Sequence, residues 1–483
     1  MSAPAARRNT AIVWFRDDLR VADNPALDAA ARTGMPVVGL YVHDTVSPGV
    51  RAPGAAQKWM LHHALAALRE ALAELGVPLV LRAGPAEDTV REVAGEAQAG
   101  AIFWNRRYDQ ALSAIDSALR HELTAAGVKA ASFNGNYLHE PSLLKTGAGG
   151  PYKVFTPFRR ALAAGGEPTR PLPPPSQCVP GDAGLPGLGL DELSLLPGGP
   201  DWTAGLRASW PAGEAAAMRR FRDFLEAGLQ GYGEGRDRPG KPHVSRMSPY
   251  LRFGVVSPRQ LWHGARESDA PAADVEKFLG ELAWREFCCH LAFHFPDMAS
   301  RNFDARFDAF PWSRSHRHLP AWKKGLTGYP IVDAGMRELW RTGFMHNRVR
   351  MIVASFLVKD LMIDWRIGES WFWDTLVDGD RASNPANWQW VAGSGADAAP
   401  YFRIFNPVLQ GEKFDPDGDY VRSFVPELAA LPGRILHKPW EADARTLAQA
   451  GVELGVTYPH RVVDHRQARQ CALDALQSVK KAS

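Results

Sequence analysis

Four cysteines in 483 residues are too few for a disulfide framework. Cys178, Cys288, Cys289 and Cys471 form no C-x-x-C pair, and sequence neighbours such as Cys288 and Cys289 rarely bridge, so the reading is a reducing compartment without structural zinc. Long hydrophobic runs are also missing. No stretch approaches the ~18 apolar residues of a membrane span. Ala11–Phe15, preceded by Arg7 and Arg8, is cut off by Arg16, Asp17 and Asp18, too soon for a signal-peptide core. A cytoplasmic protein with no membrane partner is expected. Net charge is low, only +3, so any nucleic-acid surface must be a local patch. No G-x-G-x-x-G follows the first apolar run, which removes the usual glycine cradle for a dinucleotide pyrophosphate. There is no internal repeat.

The length calls for more than one core. Within residues 1–135, short β-rich runs (Ala11–Phe15, Pro36–Val42, Pro78–Leu81, Ala101–Trp104) alternate with helical compositions (Asn24–Thr33, Ala55–Leu75, Glu87–Ala97, Gln110–Ala126). That alternation predicts a doubly wound α/β domain with a parallel sheet. Residues 136–205 hold a proline- and glycine-rich stretch, including Pro173, Pro174 and Pro175, and read as a connector. Residues 206–483 are helical in pattern, with Glu214–Leu229, Val275–Phe293, Ala334–Thr342 and Asn347–Leu361 as examples, and predict an all-α second domain.

Tryptophan is abundant: 16 in all, 11 of them from Trp262 to Trp440. Large core side chains account for such a bias as readily as a cofactor pocket or redox chain does. Four clusters carry candidate chemistry. Arg348 and Arg350 with Asp378 and Asp380 lie among strongly apolar neighbours, where buried charges must pair. Arg350–Asp378 is a plain core ion pair on one reading and part of a functional loop with Gly379, Asn384 and Trp388 on the other. Glu281, Trp284 and Arg285 share a helix face at i, i+3 and i+4, either as a surface ion pair or as a stacking site. Ser245 and Ser248 offer a phosphate seat or ordinary helix caps. A basic run (Arg301, Arg306, Arg314, His316, Arg317, His318, Lys323, Lys324) is interleaved with Trp312 and Trp322, as on a nucleic-acid surface or a solvated face.

These motifs join in one resemblance. Trp14–Arg20, Asp23–Leu27, Glu281–Phe287, Thr327–Ala334, Met345–Met351, Asp378–Asp380, Trp388–Trp390 and Asp397–Pro407 resemble the photolyase/cryptochrome family in the right order over nearly the whole chain. The resemblance implies an α/β antenna domain, a connector, and a helical domain that holds a U-shaped FAD, active as FADH⁻. It implies light-driven repair of cyclobutane pyrimidine dimers by a photolyase, with a signalling cryptochrome as the alternative. By the same resemblance, Tyr232, Ser245, Met247, Ser248, Phe278, Arg350, Asp378 and Asp380 contact FAD, and Asn384 faces flavin N5. Glu281, Trp284, Asn347, Met351 and Trp390 wall the dimer pocket. Arg236, Arg285, Arg348 and Arg403 contact DNA. Trp388, Trp365 and Trp312 form an electron wire. The implied partner is UV-damaged DNA with a flipped-out dimer, bound by a monomer. Relatives that repair (6-4) photoproducts carry histidines where this chain has Asn347 and Met351, and many cryptochromes carry Asp or Cys at the position of Asn384. Two departures stand out. Val244 replaces a frequent Thr, and Ala299 and Ser300 stand where several relatives hold a folate with Cys and Lys. An antenna pigment is expected, methenyltetrahydrofolate in preference to a deazaflavin.

Overall fold

The computed structural model describes residues 9–398 and 402–481. Met1–Pro4, Arg7 and Arg8, and Ala399, Pro400 and Tyr401 of the Asp397–Pro407 motif, lie outside the described residues.

Five strands form the sheet: β1 (Thr10–Phe15), β2 (Pro36–His43), β3 (Leu79–Ala83), β4 (Ala99–Asn105) and β5 (Lys129–Phe133). Their order is β3-β2-β1-β4-β5, all parallel, and a two-residue β6 (Val179–Pro180) adds to the start of β2. The topological switch lies between β1 and β4, the crevice where such sheets bind ligands. β1 is buried on both faces, so its sequence reads as a continuous apolar run. Ala11, Val13 and Phe15 face the helix Ala55–Glu74 and the helical half of the molecule. Ile12 and Trp14 face the helices Ala86–Glu96 and Gln110–Ala125. The expected strands and helices are present with ends shifted by at most four residues, apart from the helix expected over Asn347–Leu361. β5 and β6 were not expected. Ala130, Ala131 and Ser132 give β5 a weak apolar signature, and β6 contains a proline inside the stretch read as connector.

After Ala204 every regular element is helical. The helix expected over Asn347–Leu361 is two pieces: an α-helix Asn347–Ser355 and a π-helical turn Phe356–Asp360. That turn buries Lys359, whose ammonium donates to the Arg403 carbonyl at 3.0 Å and lies 3.6 Å from the Phe402 ring centroid. The Thr327–Ala334 motif is a structural joint: Asp333 accepts from the Thr327 and Gly328 N–H groups and from the Tyr458 hydroxyl.

The two halves meet through buried polar contacts that use the Trp14–Arg20 motif. Arg20 donates to the Asn136 side chain and to the Gly254 carbonyl. Arg252 donates to Asp17 at 2.8 Å. Burial pushes the Asp17 carboxyl up, but Arg252, Arg107 and Arg381 outweigh it and hold it at about 2. Before the helix Ala55–Glu74, the Gly54 backbone lies so close to the Trp373 carbonyl that a β-carbon would sit 2.2 Å from the oxygen. Only glycine permits that approach.

Candidate functional site

A cavity of about 660 Å³ lies in the helical half and falls within the range of small-molecule sites. It is framed by the helices Ala272–His294, Asn347–Ser355, Trp365–Thr375 and Ser383–Ala392, with Ser248 closing one side.

At its base Arg350 donates to Asp378 Oδ2 at 2.8 Å and to the Met345 carbonyl at 2.7 Å. Ser248 donates to the same Oδ2 at 2.6 Å. Asp378 Oδ1 is buried without a partner. A buried acceptor left without a partner is costly unless a donor meets it. Asp380 accepts from the Ala382 and Ser383 N–H groups and so starts the helix Ser383–Ala392. That helix brings Asn384 and Trp388 to the cavity. Both amide protons of Asn384 are spent, on Glu369 Oε1 at 2.8 Å and on the Glu369 carbonyl at 3.0 Å. What Asn384 offers the cavity is therefore its oxygen, an acceptor for a ligand N–H.

At the mouth, Glu281 is ion-paired with Arg236. Trp284 stacks on Phe155 with ring centroids 3.7 Å apart and planes at 10°. Arg403 lies 5.2 Å from the Trp390 ring centroid. Arg348 donates to Asp237 at 2.8 Å and covers Phe414 at 4.4 Å. Exposed Asn347 and half-buried Met351 complete the rim. Arg348 and Asp237 also belong to an open groove of about 570 Å³ alongside, lined by Arg238, Lys413, Phe405 and Phe414.

The structure brings most of the expected residues to one cavity and moves others. Tyr232, Ser245, Met247 and Phe278 do not line it. Tyr232, Met247 and Phe278 are in the apolar core, where Tyr232 meets Phe278 edge-on at 5.7 Å. Neither Ser245 nor Ser248 makes a side-chain cap on the short helix Ser248–Arg252, because the Ser248 hydroxyl is turned to Asp378. Arg285 lines the cavity together with Glu281 and Trp284. Its guanidinium turns to the domain joint, donating to the Asn136 carbonyl at 2.7 Å and lying 4.2 Å from the Tyr137 ring centroid. Arg236 is equally committed, its side chain only 13% exposed against Glu281. None of the basic run from Arg301 to Lys324 lines the cavity or its groove. Arg306 is engaged by Asp304, and Lys323 lies over Trp371.

Of the three candidate wire tryptophans, Trp388 lines the cavity and its Nε1–H has no partner. Its ring touches Phe372 at 4.9 Å and Trp322 at 6.4 Å, centroid to centroid. Trp365 is fully buried and donates to Asn302 at 2.9 Å. Trp312 is half-buried, 4.4 Å from Phe310. All three belong to one apolar cluster, in which Trp388 and Trp365 are buried and Trp312 packs half-buried against it. At Gly368 a β-carbon would lie 2.1 Å from the Trp388 ring, so glycine is what lets the helix Trp365–Thr375 approach it.

Sequence reasoning missed Glu369, Phe155 and Arg51, which hold the named residues in place. A lone carboxylate just before the apolar Trp371–Trp373 run was the available signal for Glu369, since a buried charge needs a partner.

Two cofactors can be tested against these walls. FAD fits the large cavity: it would supply ribityl and ribose hydroxyls for Asp378 and a ring N–H for Asn384. The sheet's switch-point crevice does not fit an antenna pigment. It is divided into spaces of about 60 and 50 Å³ walled by Arg107, Arg252, Arg381 and Asp17, too small for a pterin or deazaflavin ring system. Among the described residues no cluster of His, Cys, Asp and Glu could hold a metal ion, and no helix is long and apolar enough to cross a membrane.

Comparison with known proteins gives the same picture. A family model described as the FAD binding domain of DNA photolyase matches residues 278–478, and one described as DNA photolyase matches 11–176. A deoxyribodipyrimidine photo-lyase of Agrobacterium fabrum is 52% identical over 474 residues, 98% of each chain. Cryptochrome-1 of Arabidopsis thaliana is 37% identical, over 96% of this chain and 70% of that one. The crystal structure of a bacterial class III photolyase from Agrobacterium tumefaciens superposes with a TM-score of 0.95 at 51% identity, covering 99% of both chains.

Proposed function

The chain belongs to the DNA photolyase/cryptochrome family, and from that premise we propose that it is a deoxyribodipyrimidine photolyase, repairing cyclobutane pyrimidine dimers in DNA with blue light. The observation that carries this reading is the acceptor-only amide of Asn384 in the same cavity as Glu281, Trp284 and Trp390. When bound as FADH⁻, the flavin supplies one electron to the dimer under light and takes it back, so the reaction has no net redox change.

The residues do the rest. Ser248, Arg350 and Asp378 bind the cofactor's polar chain, with Asp378 Oδ1 accepting a hydroxyl. Asn384 Oδ1 would accept the N5–H that oxidised flavin lacks, and so would favour the reduced cofactor. Trp284, held flat by Phe155, and Trp390 receive the extruded dimer by stacking, which excludes water from the ring being opened. Glu281 and Arg236 present a charged, hydrogen-bonding pair to the pyrimidine carbonyls, where negative charge develops. Arg348 and Arg403 at the rim, with the adjoining groove, hold flanking phosphates, an affinity that weakens with salt. Trp388, Trp365 and Trp312 return electrons to oxidised flavin. We take the acting species to be a monomer in the cytoplasm. An antenna pigment, methenyltetrahydrofolate before a deazaflavin, belongs to this reading, bound outside the small switch-point crevice.

The test is repair of a cyclobutane-thymine-dimer oligonucleotide by the reduced protein in blue light with a dark control. Light-dependent recovery of thymine absorbance is expected, slowed about tenfold or more in Glu281→Ala by loss of a charge-assisted hydrogen bond. No recovery from a protein whose flavin still photoreduces would move the chain to the cryptochrome reading.

A further inference from the structure

Asn384 is oriented from the other half of the molecule. Arg51 lies between β2 and the helix Ala55–Glu74 and reaches into the helical half. Its two terminal nitrogens meet the two oxygens of Glu369 at 2.6 and 3.0 Å, a bidentate pair. The Glu369 side chain is 6% exposed. The segment carrying Arg51 is fastened on several sides. Its guanidinium lies 4.0 Å from the Trp373 ring centroid. Its carbonyl accepts from Arg381 at 2.9 Å. Trp373 donates to the Ala52 carbonyl at 2.9 Å, and Gln57 donates to the Trp373 carbonyl at 2.6 Å.

The chain of bonds has a direction. Carboxylate and carbonyl oxygens only accept, so Glu369 takes one Asn384 N–H on Oε1 and the other on its backbone carbonyl, and turns the amide oxygen to the cavity. Arg51 pins both carboxylate oxygens in that place. Without Arg51 the carboxylate is no longer held against Asn384, so the amide loses one of its two anchors and can turn over to offer NH₂ to the cavity. An N–H donor suits the bare N5 of oxidised flavin and opposes the N5–H of reduced flavin.

We propose that Arg51 is a positioning residue for the flavin's redox state, setting the Asn384 amide through Glu369 from the sheet-containing domain. This rests on the reading of the cavity as the FAD site. The sheet half then does more than support the fold: docking of the segment Arg51–Gln57 is what makes the cavity prefer the reduced cofactor.

The experiment compares the full-length flavin-loaded wild type with Arg51→Gln, Arg51→Lys and Glu369→Gln. Flavin content, unfolding temperature, the reduced-to-oxidised ratio at fixed external potential, and the rate of dark reoxidation are read together. Arg51→Gln should keep FAD while its reduced fraction shifts about tenfold toward oxidised, the equivalent of one hydrogen bond. Glu369→Gln, which removes the charge without touching Arg51, should shift the same way. Arg51→Lys should restore most of the wild-type ratio. An unchanged ratio in Arg51→Gln and Glu369→Gln with full flavin would overturn the proposal. So would loss of FAD in Arg51→Gln in step with a lowered unfolding temperature, which would make the pair a domain clamp only. A wild-type protein that binds no FAD would instead sink the reading of the cavity.

Discussion

Arg16 and Arg350 are both guanidinium groups set among apolar neighbours, one beneath the sheet and one in the helical half, and their carboxylate partners differ. Asp116 spends both oxygens inside the protein: Arg16 binds both, and the Trp104 indole N–H donates to Oδ2 at 3.1 Å. Asp378 accepts from Arg350 and Ser248 on one oxygen and leaves the other buried without a partner. The same contrast holds more widely. The sheet's crevice is closed down to small spaces by arginines, whereas the helical cavity is about 660 Å³ and keeps the Asp378 and Asn384 oxygens for something else. A buried ion pair on its own is weak evidence of function. An ion pair that lines a cavity and leaves one buried acceptor without a partner is stronger evidence.

The largest effects should come from cutting each carboxylate. Asp116→Ala leaves Arg16 buried without its partner and should cost about 3–5 kcal/mol of folding stability, with flavin retained by the molecules that fold. Asp378→Ala should instead abolish FAD retention through purification, read from the visible absorbance. An Asp378→Ala protein that kept its flavin would break the contrast.

Tryptophans give a second, smaller pair. Trp14 and Trp388 are both buried with unpartnered indole N–H groups. Trp388→Phe should reduce photoreduction of oxidised flavin to background, and Trp14→Phe should leave it untouched at a stability cost of about 1 kcal/mol. Photoreduction that survives Trp388→Phe would end the wire assignment.

These pairs also mark what the sequence could reveal. The strands, the helices and the charged residues around Asp378 were legible because apolar periodicity is local and because charges inside apolar runs stand out. Arg51 was not legible: it is 318 positions from Glu369, and nothing near it in the chain signals the partner. Phe155 hid for the same reason, on a helix next to the proline-rich stretch. Arg285 and Arg236 line the cavity, but their partners, the Asn136 carbonyl and Glu281, were hidden because an arginine near a pocket looks the same in sequence whatever it pairs with. Tyr232, Met247 and Phe278 sit in the layer behind the cavity wall, which spacing along a helix cannot distinguish from the wall itself.

The mildest expected effect is the acid sensitivity of His346, just before the helix Asn347–Ser355. Burial, with Arg236, Arg348 and Arg350 nearby, lowers His346 to about 3. The unfolded chain binds that proton near pH 6.5, the folded protein only near 3. The stability this group contributes is therefore full above about pH 6.5 and is lost as pH falls toward 3, by at most about 1.4 kcal/mol per pH unit. His346→Gln should flatten the stability profile in that window, as followed by chemical unfolding at several pH values. An unchanged profile would mean that other groups carry the acid response.

Amide hydrogen exchange of the flavin-free and FAD-saturated protein tests most directly where the molecule keeps its unmet hydrogen-bonding capacity. Added protection should fall on Ser248 and its short helix, on 347–355 and on 376–392, with the ends of β1, β2 and β4 unchanged. Protection at those strand ends, with none around Asp378 and Asn384, would contradict the account.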